Sequence, residues 1–152
     1  MTDKSVFSEA EWHALTDAPL LVTLAMFATG EHGPISMVKE ASASARAIAR
    51  PGDRGSADAL IAEIATGAET KEARHDMKVH RGSSMDEVLQ RSLADLEPAA
   101  AALAKLPGDE ATQVSTWLID IAKAVAGAAK TVNADEQGAI DKIAVLFARS
   151  SP

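Results

Sequence analysis

The chain has 152 residues, 22 acidic against 15 basic, a net charge of −7 and no cysteine. Disulfides, thiolate metal sites, iron–sulfur clusters and cysteine nucleophiles are therefore excluded, and the acidity repels nucleic acid and anionic membrane surfaces. Alanine supplies about a fifth of the residues, aromatic content is 3% and tyrosine is absent. With the best helix former dominant and strand formers scarce, the expected fold is all-α, a single helical bundle over residues 1–152 with about seven helices.

At the N-terminus, "MTDKSVFSEAEWHAL" lacks the basic and apolar segments of a secretory signal. The longest apolar run, "LLVTLAMFA" at 20–28, is far shorter than the ~20 residues a spanning helix needs, so no membrane insertion is expected and the cytoplasm is the expected compartment. Ser8 with Glu11 has the form of a capping box and predicts a short helix from Glu9 to about Leu15. Asp17 then reads as the cap of a second helix, with Pro19 in its first turn and an end at Thr29 and Gly30. "GEHGP" at 30–34 is a turn, and Ser36 caps a helix to about Ala49.

After the "RPGDRG" loop, Ser56 is expected to cap a helix carrying Leu60, Ile61 and Ile64. "ETKEARHDM" reads as a further short helix and "KVHRGSS" as a loop. Ser84 with Glu87 opens a helix on which Leu89, Leu93, Leu96, Leu103 and Leu106 keep a 3-and-4 rhythm. Pro98 lies inside that rhythm and predicts a bend near Ala94 rather than a break. Two more amphipathic helices follow, one on Val114, Trp117, Leu118, Ile121, Ala122 and Val125, the other opened by Asn133 and Glu136 and built on Ile140, Ile143, Ala144 and Phe147.

The chain also matches itself. "LVTLAMFATGEHGPISMVKE" aligns without a gap on "LIDIAKAVAGAAKTVNADEQ", pairing Leu21 with Leu118, Ala25 with Ala122, Gly30 with Gly127, Ile35 with Val132, Ser36 with Asn133 and Lys39 with Glu136. Each copy is a helix, a glycine turn, an apolar residue, a cap and a helix, which gives candidate repeat halves at 18–50 and 110–149. This pattern resembles the TerB-like family of bacterial tellurite-resistance proteins, all-helical domains with an internal repeat of this kind. The resemblance is clearest over 111–147, weaker over 20–49 and absent over 55–80. It implies a stress-response protein and a divalent cation held by acidic residues at the repeat turns. The family's aspartate before the turn glycine is replaced here by Thr29 and Ala126, which leaves Glu31, Glu40, Asp135 and Glu136 as the metal-ligand candidates the resemblance implies.

Elsewhere the chemistry is thin. Glu72 and His75 form one Glu-x-x-His motif, but a di-iron bundle site needs two, and Ala10, Thr29 and Met77 precede His13, His32 and His80 at the required spacing. His75 and His80 are five apart, which does not set both on one helix face toward a zinc ion. A phosphate loop, a dinucleotide fingerprint and a serine-hydrolase elbow are all missing from the sequence. The basic stretch "RHDMKVHR" at 74–81 reads as a solvated segment on an acidic protein. Trp117 reads as a core anchor, and Trp12 as a clamp or a partner contact. With no nucleophile paired to a base, the expected function is binding rather than catalysis. The alternative is an interaction or scaffold module without metal, which self-associates or binds the helix of a protein partner.

Overall fold

Capping, alanine content and apolar spacing are realised as six α-helices in a computed structural model that describes residues 3–29, 34–68, 84–128 and 134–148. A 3-10 turn at Lys4–Val6 leads into α1 (Glu9–Phe27), followed by α2 (Pro34–Ala49), α3 (Asp58–Ala68), α4 (Met85–Leu103), α5 (Gly108–Gly127) and α6 (Ala134–Ala148). Every regular element among the described residues is helical. The short helix expected at "ETKEARHDM", residues 30–33 of the "GEHGP" turn and Asn133 lie outside the described residues.

α1 begins as its sequence predicts. Ser8 Oγ accepts from the Glu11 N–H at 3.1 Å and Glu11 Oε1 accepts from the Ser8 N–H at 3.0 Å, so two otherwise orphaned helical donors are satisfied reciprocally. The expected division at Asp17 does not occur, and one helix runs through Pro19 to Phe27. An interior proline costs about 3 kcal/mol through a lost hydrogen bond and ring crowding. Burial offsets that cost: Leu15, Ala18, Leu21, Val22, Ala25 and Met26 are all buried, on several faces of the helix. A helix that is apolar all round belongs inside the protein, and α1 packs against every other helix. Asp17, freed from capping, pairs instead with His13 one turn earlier, Nε2 to Oδ2 at 3.3 Å.

Two further caps differ from expectation. α2 starts at Pro34, two residues before Ser36, because proline has no N–H to lose in the first turn and its φ is already helical. Ser56 does not cap α3, since its hydroxyl donates to Asp109 Oδ2 on α5 at 3.3 Å. At α4 the Ser84 hydroxyl accepts from the Glu87 N–H at 3.2 Å, as predicted. That helix continues unbroken through Pro98 to Leu103, while Leu106 lies beyond its end, buried in the turn toward α5.

The most extensive packing is of α1 on α4, with α2 and α1 both laid on α5. Trp117 on α5 is 1% exposed, and its indole N–H donates to the Ala47 carbonyl of α2 at 3.4 Å. Thr23 of α1 and Ser44 of α2 meet through their hydroxyls at 2.7 Å inside the bundle. Each fully buried leucine or isoleucine, such as Leu15, Leu96 or Ile121, contributes about 1.5–3 kcal/mol.

The connection between α2 and α3 is sewn to one side of α5. The Ala57 N–H donates to Gln113 Oε1 at 2.8 Å, the Ser56 hydroxyl reaches Asp109, and Arg54 pairs with Asp120 at 2.9 Å. Arg54 also donates from Nε to the Pro51 carbonyl at 2.6 Å, and from its backbone N–H to Asp58 Oδ1 at 2.7 Å. Gly52 and Gly55 take φ of 79° and 102°, left-handed values that let the chain turn back on itself here.

Candidate functional site

Two of the four metal-ligand candidates are buried. Glu40 on α2 is 1% exposed and Glu136, in the first turn of α6, is 2% exposed, whereas Asp135 beside it is exposed and Glu31 lies outside the described residues. Glu40 is one helical turn before Ser44, on the side of α2 where Ser44 meets Thr23. α2 and α6 are not among the helix pairs that pack extensively. Among the described residues, three or more histidine, aspartate or glutamate side chains are nowhere grouped so as to hold a metal ion. Glu72, His75, His80 and the basic stretch at 74–81 are outside the described residues.

A surface feature the sequence reading missed lies between α4 and α6. Gln90, Leu93, Ala94 and Glu97 of α4 face Asp141, Lys142, Val145 and Leu146 of α6 across a groove of about 450 Å³. Both sets follow the spacing of one helix face, so each helix contributes a strip rather than scattered contacts. Leu93, Ala94, Val145 and Leu146 give it an apolar lining, and Gln90, Glu97, Asp141 and Lys142 a polar one. Val145 is 57% exposed, the more open of two exposed large apolar side chains among the described residues. Its signal in the sequence was its position: it falls between the inward residues Ile143 and Phe147, where an amphipathic helix ordinarily presents a polar side chain.

The other functional cues resolve into structure. Trp117 is a core anchor, and Trp12 is half-buried against Phe7, with ring centroids 6.2 Å apart. Glu110 is buried in the first turn of α5, where a carboxylate is favoured by the exposed N–H groups of the helix start. No helix among the described residues is long and apolar enough to cross a membrane. Compared with known proteins, the chain matches no family model, no curated protein and no solved structure.

Proposed function

We propose that this chain is a non-catalytic binding module that seats an amphipathic helix of a protein partner in the groove between α4 and α6. The observation that carries the reading is Val145, a large apolar side chain open to water that lines the same groove as Leu93, Ala94 and Leu146. The lining includes two carboxylates, Glu97 and Asp141, against one ammonium, Lys142, on a protein of net charge −7. A helix with an apolar stripe flanked by lysine or arginine therefore complements it, and the net charge speeds that encounter. The test uses a labelled synthetic helix of leucine and lysine at helical spacing, followed by fluorescence anisotropy. Val145→Lys is expected to weaken binding about tenfold, the effect of removing one anchor contact, and Val6→Lys, at the other open aliphatic side chain, to change nothing. Equal binding by both variants would sink the groove reading. If the protein alone sediments as a dimer that Val145→Lys dissociates, the occupant is a second copy of the chain.

The TerB-like reading draws support from the repeat positions: Leu21 and Leu118 are both buried, as are Ala25 and Ala122, in helix pairs α1–α2 and α5–α6 that each pack together. A second binding reading, a divalent cation, rests on the family pattern that names Glu40 and Glu136, two buried carboxylates that each already have a partner inside the protein. Magnesium, calcium or manganese at millimolar concentration would then raise the melting temperature, and Glu40→Gln with Glu136→Gln would abolish the shift. An unmoved melting curve removes the cation from the proposal and leaves the groove.

A further inference from the structure

We propose that a second hollow, between the N-terminal 3-10 turn, α1 and α3, binds a small zwitterion of the amino-acid class through an apolar body and two opposite charges. The hollow measures about 390 Å³ and is lined by Lys4, Trp12, Ala62, Glu63, Thr66 and Gly67. That volume is near the lower end for ligand sites and suits an amino acid or a short peptide rather than a nucleotide.

The hollow is built on fixed parts. Phe7 is buried and backs the Trp12 indole with its ring plane tilted by 31°, so the aromatic wall does not depend on the ligand for its position. The Phe7 N–H donates to the Lys4 carbonyl at 3.1 Å, tying the backbone of the cationic residue to the residue that props the indole. Asp3 in turn accepts from the Ser5 N–H at 2.8 Å and holds the start of the same turn. From α3 the lining takes Glu63, Thr66 and Gly67, which share one face of that helix. The Thr66 hydroxyl gives its proton to the Ala62 carbonyl at 2.9 Å, which leaves its oxygen lone pairs to accept from a ligand ammonium. Gly67 lets α3 pack close against Thr16 of α1 beside the hollow.

The charges select the ligand class. Lys4 and Glu63 both line the hollow, yet they do not pair with each other, and neither makes an ion pair with another described residue. A cationic ligand would meet Lys4 with repulsion and an anionic one would meet Glu63 likewise. A neutral ligand would displace water from both charges and replace none of it. A dipolar ion gives its carboxylate to Lys4 and its ammonium to Glu63, while its apolar portion covers the indole face.

The experiment follows the two indole N–H resonances of the uniformly labelled protein by NMR, assigned with Trp12→Phe, during titration with L-leucine and L-phenylalanine. Isoamylamine and 4-methylvalerate serve as leucine analogues that lack the carboxylate or the ammonium. The expected result is a saturable shift of the Trp12 resonance at millimolar amino acid, with Trp117 unmoved and both analogues about tenfold weaker. Lys4→Gln and Glu63→Gln should each weaken the amino acid to a similar degree, and Lys123→Gln, on α5, should leave it unchanged. No saturable shift with either amino acid overturns the site. Equal shifts with the single-charge analogues overturn the dipolar recognition.

Discussion

Glu11 shows how much one exposed side chain can be asked to do. It completes the capping box of α1, and it accepts a hydrogen bond from the Lys105 ammonium at 2.6 Å, joining the turn after α4 to the start of α1. Lys105 first, and then the backbone and side chain of Ser8, pull its carboxyl down from the ordinary 4.5 to about 2. The sign of the linkage follows. A carboxylate with a depressed folded pKa contributes stability that is complete above its unfolded value and lost as the pH falls through the folded one. The contribution of Glu11 is thus full above about pH 4.5 and fades toward pH 2. NMR titration of the side-chain carboxyl should place its midpoint near the lower figure, and Lys105→Gln should move it back toward the ordinary range. An unchanged midpoint in that variant would mean that the pair does not persist in solution, as is common for surface ion pairs.

At the scale of single helices, two glycines make opposite predictions. Gly138 lies inside α6 with open space where a Cβ would stand, so Gly138→Ala is expected to stabilise the protein by about 0.5–1 kcal/mol through helix propensity alone. Gly67 near the end of α3 meets α1 instead, and an added Cβ would fall 2.4 Å from Thr16 Cγ2. Gly67→Ala should therefore cost about 1–3 kcal/mol by overpacking, and Thr16→Ser, which removes that methyl, should recover part of it. Urea denaturation of the variants decides both; a stabilising Gly67→Ala would contradict the packing of α3 on α1. The helices themselves were largely legible, because capping and 3.6-residue spacing act within a few residues of sequence. Pro98 was read through correctly on the continuing leucine rhythm. Pro19 was not, because Asp17 imitates a cap and only the burial of α1 on several sides reveals that packing overrides it.

For the molecule as a whole, α1 is the hub: among the described residues each of the other five helices packs on it, while α2 and α6 pack on α5 as well. A bundle arranged in this way unfolds as one unit rather than helix by helix. What sequence reading could not reach is what long-range pairing makes. The sequence shows Ser56 as an ordinary cap and Asp109 as an ordinary first-turn acid, and nothing local says that residues 53 apart will bond to each other. The groove between α4 and α6 was hidden for the same reason, since neither strip is unusual until the other is set beside it. The candidate metal set was nameable only through a family pattern whose aspartates are replaced here by Thr29 and Ala126.

The stitched connection between α2 and α3 bears on how the protein survives digestion. By composition, "RPGDRG" is a polar surface loop of the kind proteases nick first. Trypsin must draw an arginine side chain into its own acidic pocket and unroll the backbone around it. Arg54 is already committed to Asp120 and the Pro51 carbonyl, and the chain just beyond it is pinned through Ala57 to Gln113. Native protein should therefore resist cutting between Arg54 and Gly55. Asp120→Ala should release the guanidinium and open that bond, with fragments ending at Arg54 in the mass spectrum while the helical circular dichroism stays unchanged. Equal cutting in both proteins would show that trypsin finds Arg54 free already, and that Asp120 restrains nothing.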